Sequence, residues 1–280
     1  MVSGVESRQR NRQRRTLNSA GLTLLERRKV DHVDFVVAGV QKAGTTALHD
    51  FLAQHPHVAL LRDQALHFFD KEEHFAGEPD YRILLGNFDP GWRWRVAGEV
   101  TADYLYYPRA LERIARYNPE MKVIVSLRNP VDRAFSQWNM RRGKGQEPLE
   151  FIDAIKRDQE LGVWRGPRGN AYLARSLYST QLERVFDLFP RNQVLVIKYE
   201  EFRQNSYRVA DRMFDFLGIR RSRTLKNKWR NIGSYSRKVR AEEREYLSSL
   251  FEEDISKLEA LLDWDCSNWR FAAAVPASYG

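Results

Sequence analysis

The chain has 280 residues, 42% of them hydrophobic and 12% aromatic, which is enough for one sizeable core and excludes wholesale disorder. Its net charge of +9 is concentrated in residues 1–30, with eight Lys/Arg and two Glu, and in residues 220–240, with nine Lys/Arg and no acid. The remainder is net acidic, so a nucleic acid is not expected as the main partner. No run of about 18 apolar residues occurs, so no transmembrane helix is expected.

Residues 1–30 form a basic, polar leader that we expect to be a disordered arm ahead of one domain over residues 31–280. Like-charged blocks repel one another and stay solvated; contact with a membrane surface or RNA is the alternative. The leader contains no apolar signal region. Within it, the apolar stretch 22–25 is interpreted as the start of a short helix.

The domain is predicted to begin with a strand followed by a helix. Residues 35–40 read FVVAGV, a short apolar and β-branched run that is typical of a buried strand. Residues 45–53 then have helical spacing, with one apolar face formed by Leu48, Phe51 and Leu52. Strand, glycine loop and helix together indicate the start of a βα unit.

The same alternation continues along the chain. Further strands are predicted at residues 58–61, 123–127 and 193–197. Further helices are predicted at residues 111–117, 131–142, 179–189, 207–217 and 241–262, with a mobile loop at 143–147. The pattern predicts an α/β fold in which a central parallel sheet is flanked by helices on both faces.

The most informative segment is the octapeptide GVQKAGTT at residues 39–46, between the first strand and its helix. Glycine lets backbone N–H groups approach an anion without an obstructing Cβ, and a helix N-terminus offers unpaired N–H groups and a positive dipole end. Thr45 and Thr46 add hydroxyl donors. The segment predicts a P-loop-like nucleotide-binding core; a purely structural turn is the alternative.

This loop departs from the nucleotide-triphosphatase pattern G-x-x-x-x-G-K-[ST]. The glycine spacing is the same, but Thr45 occupies the lysine position, and the lysine is Lys42, inside the loop. The sequence also offers no convincing apolar strand that ends in an aspartate for magnesium. These departures favour another phosphate-bearing donor and leave an ATP-dependent kinase as the weaker alternative.

A second polar cluster follows a buried strand in the segment VIVSLRNPVDRAFS, residues 123–136. Arg128 lies at the C-terminal tip of that strand, where ligands bind in open α/β sheets. Pro130 can start the next helix, and Ser136 falls two turns into it. Arg128 and Ser136 are therefore expected to converge on a second phosphate.

The two segments resemble the nucleotide-binding segments of the sulfotransferases that use 3′-phosphoadenosine-5′-phosphosulfate (PAPS), in the branch of heparan-sulfate-type and bacterial enzymes. Weaker similarities flank them: His67-Phe68-Phe69-Asp70, Gly98-Glu99-x-Thr101 with Tyr104, Tyr178-x-x-Gln181-Leu182, and Tyr199-Glu200-Glu201 with Phe216-Leu217-Gly218. The resemblance covers about residues 34–270. It implies a PAPS-dependent sulfotransferase without a metal, whose nucleotide product is adenosine 3′,5′-bisphosphate (PAP).

The resemblance also implies roles for individual residues. Lys42 would contact the donor sulfate and its bridging oxygen, and Arg128 and Ser136 would hold the 3′-phosphate. The loop would bind the 5′ side through Gln41, Ala43, Gly44, Thr45 and Thr46. Further contacts would come from Tyr199 and from a late segment that closes over the nucleotide, comprising Asn231, Ile232, Gly233, Ser234, Arg237 and Lys238.

The sequence departs from this branch at the catalytic base. The branch usually carries Lys-Glu ahead of His-Phe-Phe, with the Glu as base, whereas this chain has Gln64 and Ala65. His67 is the first substitute, since an ordinary pKa of about 6.5 suits a base at neutral pH. Further candidates are Glu99, then Asp63 and His49. A PAPS-binding protein with weakened catalysis is the alternative of another class.

The acceptor is predicted from composition and aromatic residues. A cleft could be lined by Tyr104, Trp138 and Tyr178, with Tyr106, Tyr107 and Trp164 beside them, although aromatic residues are also typical of a core. Segment 143–170 could form a lid. Because the body is net acidic, we expect a small acceptor such as a natural-product metabolite, with a hydroxyl or an amine as nucleophile; a heparan-like glycan or a lipid-linked sugar is the alternative.

The cysteine content bears on the compartment. Cys266 is the single cysteine, which excludes an internal disulfide. Because the sequence has no cysteine cluster, a structural zinc site is not expected. A lone thiol suits a reducing compartment, so a cytoplasmic location is expected. The sequence is compatible with a homodimer.

Overall fold

The computed structural model describes residues 15–17, 23–25, 29–63, 65–91, 94–162, 171–222, 224–226, 235 and 237–271. Its strands are β1 (Arg15–Leu17), β2 (Thr23–Leu25), β3 (Phe35–Gly39), β4 (Val58–Leu60), β5 (Val96–Val100), β6 (Lys122–Leu127) and β7 (Val194–Lys198). Its α-helices are α1 (Thr45–Ala53), α2 (Arg82–Leu85), α3 (Pro108–Tyr117), α4 (Pro130–Gly143), α5 (Phe151–Glu160), α6 (Ser179–Leu188), α7 (Tyr199–Gln204), α8 (Ser206–Leu217) and α9 (Ala241–Leu262).

The predicted α/β fold class is confirmed. The described part of the chain forms a five-stranded parallel sheet in the order β4-β5-β3-β6-β7. Strand β3 lies at its centre, so the loop after β3 opens at the carboxyl edge between the ends of β5 and β6. Ligands bind at this edge in parallel α/β sheets, and the predicted loop is thereby placed at a binding position.

Strand β3 is buried on both sides because helices cover both faces of the sheet. All five of its side chains are buried, and successive side chains point to opposite faces. Phe35 and Val37 pack with apolar residues of α1 and α8. Val36 and Ala38 join the larger core, to which α3, α4, α5, α6 and α9 contribute. The near-continuous apolar run of β3 is the sequence pattern that this double burial requires.

Strand β5 is absent from the sequence-based expectation, because Gly98 and Glu99 interrupt its apolar run. The structure explains both residues. A Cβ at Gly98 would lie 2.1 Å from Cζ of Phe35 on β3, so any larger residue at this position would force the buried Phe35 ring or the strand to shift. Glu99 is fully buried and accepts hydrogen bonds from Thr101 Oγ1, at 2.9 Å, and from the Tyr104 hydroxyl.

One local expectation needs correction. Residues 23–25 form strand β2, antiparallel to β1, and not the start of a helix. A run this short makes no complete helical turn, and its backbone groups pair with those of β1 instead. In the expected lid 143–170, residues 151–160 form α5 and Trp164 lies outside the described residues. Among the helices of the described ranges, none has the length and apolar character needed to cross a bilayer.

Candidate active site

The loop between β3 and α1 has a backbone that requires glycine at residue 44. Gly44 is the N-cap of α1 with φ 82°, and a Cβ there would lie 2.7 Å from the ring of Tyr199. Ser126 Oγ donates to the carbonyl of Ala43 at 2.7 Å, which fixes the loop to β6. The first N–H groups of an α-helix lack intrahelical partners, so this loop and α1 form an anion site.

The loop forms one wall of a cavity of about 880 Å³ at the carboxyl edge of the sheet. Residues named from the sequence that line this cavity are Gln41, Lys42, Gly44, Thr45, Thr46, His49, His67, Arg128, Ser136 and Tyr199. Ala43, in the same loop, is fully buried and is not among the lining residues. Two segments that are about 90 residues apart in sequence, the loop and the Arg128–Ser136 cluster, therefore face one cavity.

One end of the cavity is strongly basic. Its lining includes the cationic side chains of Lys42, Arg128, Lys144 and Arg203. Burial lowers the pKa of the Lys42 ammonium, and the neighbouring charges of Arg128 and Lys144 lower it further. The Lys42 Nζ lies 3.6 Å from Sδ of Met140, a weak acceptor. A ligand with several negative charges would relieve this concentration of positive charge.

Arg128 is held in place by contacts on three sides. Its Nη1 donates to the carbonyl of Lys42 at 3.1 Å, and its guanidinium lies over the ring of Tyr199, 5.0 Å from the centroid. Its own carbonyl accepts from the Tyr178 hydroxyl at 2.8 Å. A fixed guanidinium with further N–H donors is the usual partner of a phosphate.

His67 also lines the cavity. In one tautomer its Nδ1–H donates to Asp70 Oδ2 at 2.7 Å, while Nε2 lies 4.0 Å from Asp103 Oδ2. The hydrogen bond to Asp70 raises the pKa of the imidazole. His67 has φ 58° and Ala65 has φ 57°, a conformation that is unfavourable for residues other than glycine and is found mostly at functional sites.

Two carboxylates surround this histidine. His67, Asp70 and Asp103 each offer one possible metal-ligand atom, and these atoms lie within 4.8 Å of one another. Both carboxylates already have partners, since Asp70 accepts from His67 and Asp103 forms an ion pair with Arg175. The arrangement orients the imidazole and stabilises its protonated form.

Glu99, the second candidate base, lies apart from the cavity lining. It is fully buried, and this burial raises the pKa of its carboxyl to about 7, although hydrogen bonds from Tyr104 and Thr101 oppose the shift. Of the other candidates, His49 lines the cavity, whereas Asp63 does not and accepts from Asn87 Nδ2 at 2.7 Å. The geometry therefore brings the two histidines to the cavity and leaves the two carboxylates outside its lining.

The aromatic residues expected to line an acceptor cleft lie in the core. Tyr104, Trp138 and Tyr178 are buried, and none of them is among the residues that line the cavity. Tyr104 donates to Glu99, Trp138 Nε1 donates to the carbonyl of Leu149, and Tyr178 donates to the carbonyl of Arg128. Their polar atoms are used inside the protein, which corrects the expectation drawn from their residue type.

The late basic segment contributes differently from expectation. Asn231, Ile232, Gly233 and Ser234 lie outside the described residues. Arg237 forms a bidentate ion pair with Glu243 at 2.7 Å, and neither it nor Lys238 lines the cavity. Among the described residues of this segment, Tyr235 lines the cavity, and the sequence analysis did not name it.

Other lining residues were also missed. Arg203 follows Tyr199 by four positions on α7, and this spacing places both on one face of the helix, which is a signal that could have found it. Lys144 follows the end of α4, where the sequence suggested only a mobile loop. Asp103 lies in a segment with no strand or helix pattern to indicate its direction.

The fold and site define an α/β protein with a P-loop-like core and a second cluster of cationic and hydroxyl side chains at the next strand tip. Residues 32–238 match the family model of the sulfotransferase domain, and the chain belongs to that family. The family expected from the two motifs is thereby confirmed.

Curated relatives support the heparan-sulfate-type branch. The chain is 30% identical over 200 residues to the human bifunctional heparan sulfate N-deacetylase/N-sulfotransferase 2, covering 66% of this chain and 22% of that protein. It is 30% identical over 196 residues to heparan sulfate glucosamine 3-O-sulfotransferase 3B1 of Mus musculus, covering 69% of this chain and 47% of that protein. The chain thus spans less than half the length of these relatives.

Solved structures agree with the fold. The crystal structure of a sulfotransferase from Alicyclobacillus acidocaldarius superposes with a TM-score of 0.75 at 30% identity, covering 86% of this chain and 100% of that one. A mouse sulfotransferase complexed with PAP has the same fold, with a TM-score of 0.53 at 15% identity over 81% of this chain and 86% of that one.

Proposed function

We propose that this chain transfers a sulfuryl group from PAPS to a hydroxyl or an amine of a small-molecule acceptor. One observation carries the proposal: the Lys42 loop and the Arg128–Ser136 cluster face the same cavity. PAPS has anionic groups at both its 5′ and its 3′ positions. Such a nucleotide needs two separate groups of anion-binding residues.

The residues present fit PAPS. The N-terminal turn of α1, with Thr45 and Thr46, would hold the 5′ side, and its backbone conformation needs glycine at residue 44, where a Cβ would lie 2.7 Å from the Tyr199 ring. Arg128 and Ser136 would hold the 3′-phosphate. When bound, PAPS supplies a sulfuryl group attached to a good leaving group.

Lys42 is assigned the electrostatic role. Its ammonium lines the cavity beside Met140, and burial lowers its pKa, with the charges of Arg128 and Lys144 lowering it further. A fixed cation is stabilising where negative charge grows on a leaving oxygen, and it acts without reorganisation during the reaction.

His67 is assigned the role of base. With Nδ1–H donating to Asp70, Nε2 is left as the acceptor for the proton of an acceptor hydroxyl or amine. Asp70 fixes the tautomer and stabilises the imidazolium that forms. This pair offers a route for the proton in a chain that has Ala65 where the branch usually has glutamate.

The size and walls of the cavity favour a small acceptor. A cavity of about 880 Å³ has to hold PAPS and the acceptor together, which favours an acceptor of small size. The lining includes the small or apolar residues Ala65, Ala102 and Met140, and the acidic Asp103. We therefore place a natural-product type of acceptor first; its identity, a cytoplasmic location and a homodimer stay predictions.

Calorimetric titration tests the donor assignment. The wild type should bind PAP more tightly than ATP with magnesium, and Lys42→Ala and Arg128→Ala should each weaken PAP binding about tenfold or more. Lys257→Ala, which removes an exposed lysine paired with Glu253 outside the cavity, is the matched control and should bind normally. A preference for ATP, or no PAP binding, would overturn the donor assignment.

A glycan acceptor is the second candidate, because the curated relatives are named for heparan sulfate. Transfer of radiolabelled sulfate from PAPS should be compared between phenols, alcohols and amines on one side and desulfated heparan oligosaccharides on the other. Turnover confined to the oligosaccharides would replace the small-molecule proposal with the glycan alternative. PAP binding without transfer to either class would favour the binding protein with weakened catalysis.

A further inference from the structure

The ammonium of Lys42 lies against the thioether of Met140. Lys42 Nζ donates to Met140 Sδ at 3.6 Å, and both residues line the cavity. The backbone of Lys42 is fixed, since Arg128 Nη1 binds its carbonyl and its φ of 75° lies in the left-handed region. A thioether is a weak hydrogen-bond acceptor, so this contact leaves the ammonium ready to bind a stronger acceptor.

Met140 differs in exposure from the other sulfur residues in the described part of the chain. It lies on α4, is only partly buried and lines the cavity. Met121, Met213 and Cys266 are fully buried, and burial raises the pKa of the Cys266 thiol to about 11, which disfavours its reactive thiolate. Met1 lies outside the described residues. A small oxidant that enters the cavity therefore reaches Met140 before the three buried sulfur atoms.

A hydroperoxide, ROOH, oxidises a thioether in a two-electron step. The sulfur lone pair attacks the terminal peroxide oxygen, an S–O bond forms, the O–O bond breaks, and the proton moves to the leaving oxygen to give ROH. Sulfur is oxidised to a sulfoxide and the peroxide is reduced. The new oxygen is a strong acceptor, and at Met140 it is attached to the atom that already contacts the Lys42 ammonium.

The sulfoxide oxygen would compete with the nucleotide for this ammonium. The charges of Arg128 and Lys144 act on Lys42, so an acceptor of partial negative charge beside it is stabilising. Because the Lys42 backbone is fixed, the ammonium changes partner only by rotation of its side chain. An ammonium that is bound to Met140 is therefore withdrawn from the nucleotide.

We propose that Met140 is a site of reversible oxidation by hydroperoxides, and that its sulfoxide holds the Lys42 ammonium and so weakens nucleotide binding. The inference rests on the proposed function, in which Lys42 binds the nucleotide. A methionine sulfoxide reductase with a dithiol restores the thioether: the sulfoxide oxygen leaves as water, and the dithiol is oxidised to a disulfide.

Treatment of the full-length wild type with graded amounts of hydrogen peroxide tests this inference. Peptide mass spectrometry locates the added oxygen, and calorimetry measures PAP affinity. Met140 should be oxidised about tenfold faster than Met121 and Met213, because sulfur oxidation follows exposure. PAP affinity should fall about fivefold or more as Met140 is oxidised, and methionine sulfoxide reductase with dithiothreitol should restore it.

Three variants separate an effect through Lys42 from general damage. Met140→Leu keeps an apolar side chain of similar volume, and its PAP affinity should be the same before and after peroxide. Met213→Leu, the same substitution at a buried methionine, is the matched control and should remain as sensitive as the wild type. In Lys42→Ala the sulfoxide has no ammonium to hold, so peroxide should change PAP affinity less than about twofold.

Each contrary result has a distinct meaning. If the buried methionines are oxidised as fast as Met140, or if oxidised Met140 leaves PAP affinity unchanged, the inference is wrong while the proposed function stands. A loss of affinity in Lys42→Ala equal to that in the wild type would also overturn the inference, because the sulfoxide would then act without Lys42. If the untreated wild type does not bind PAP, the donor assignment fails and the inference falls with it.

Discussion

Arg128 Nη1 donates to the carbonyl of Lys42 at 3.1 Å, across 86 positions of sequence. This bond joins the tip of β6 to the loop after β3, and it links the Arg128–Ser136 cluster to the Lys42 loop. The acceptor atom is part of the backbone, so the bond does not depend on the lysine side chain. Changes at the Lys42 side chain can therefore be interpreted separately from the geometry of the loop.

The first prediction concerns Lys42. Because Lys42→Ala keeps the backbone carbonyl that Arg128 binds, the loop should stay formed and PAP affinity should fall only about tenfold. Turnover at saturating PAPS should fall by about 100-fold or more, since a cation near the leaving oxygen acts mainly in the transition state. Steady-state kinetics beside calorimetry separate the two effects. A loss of affinity with unchanged turnover at saturating PAPS would mean that Lys42 contributes only to ground-state binding.

The second prediction concerns the pH dependence set by His67 and Asp70. The hydrogen bond to Asp70 raises the pKa of His67 above 6.5, and a base works only when it is neutral. Turnover should therefore increase with pH and level off above that raised pKa. Asp70→Asn removes the anionic partner and should move this rise to lower pH, with a lower plateau because the base is weaker.

Glu99 provides the control for that profile, since its pKa of about 7 would give a similar rise with pH. Glu99→Gln should move the midpoint of the rise less than Asp70→Asn does, because the charge of Glu99 raises the pKa of His67 less than the hydrogen bond and charge of Asp70 do. A midpoint that moves in Glu99→Gln and stays in Asp70→Asn would assign the base to Glu99 instead of His67.

The third prediction concerns residue 65. Ala65 lines the cavity two positions before His67, so Ala65→Glu places a carboxylate at the position where the branch usually carries its base. In a His67→Ala background, this substitution should restore turnover by about tenfold or more. Ala65→Gln is the control of equal size and should restore nothing. Strong activation of the wild type by Ala65→Glu, with no loss in His67→Ala alone, would show that His67 is not the base.

The fourth prediction concerns stability at the β3–β5 pair. A Cβ at Gly98 would lie 2.1 Å from the buried Phe35 ring, so Gly98→Ala should lower the free energy of unfolding by about 1–3 kcal/mol. Gly143→Ala, at the end of α4 with nothing within 4 Å of the added methyl group, should be close to neutral. Urea unfolding measures both. Equal stabilities of the two variants would contradict the packing argument.

The sequence predicted the parts of the fold in which local pattern and tertiary environment agree. The strand at β3, its glycine loop and α1 were predicted because the apolar run, the glycines and the helical spacing are contiguous. Strand β5 was missed because two of its residues are explained only by tertiary contacts. Gly98 leaves room for the ring of Phe35, and Glu99 accepts hydrogen bonds from the hydroxyls of Thr101 and Tyr104. Such contacts have no counterpart in the periodicity of a single strand.

The site divides in the same way. Lys42, Arg128 and Ser136 lie in contiguous motifs, and the structure brings them to one cavity. The expected aromatic lining was misplaced, because residue type does not say whether a ring such as that of Trp138 faces a cleft or the core. Tyr235 was missed because its place at the cavity depends on a contact with Ser136, 99 positions away in sequence.

The close approach of Gly44 to the ring of Tyr199 has a consequence for the history of the family. The main chain at residue 44 lies directly on the ring, with no room for a methyl group between them. A larger residue at position 44 would meet two independent penalties, the clash with this ring and the strain of φ 82°, and loss of the ring would remove only the first. Among relatives, residue 44 should therefore stay glycine even in lineages in which the ring has been lost, and position 199 should vary more than position 44.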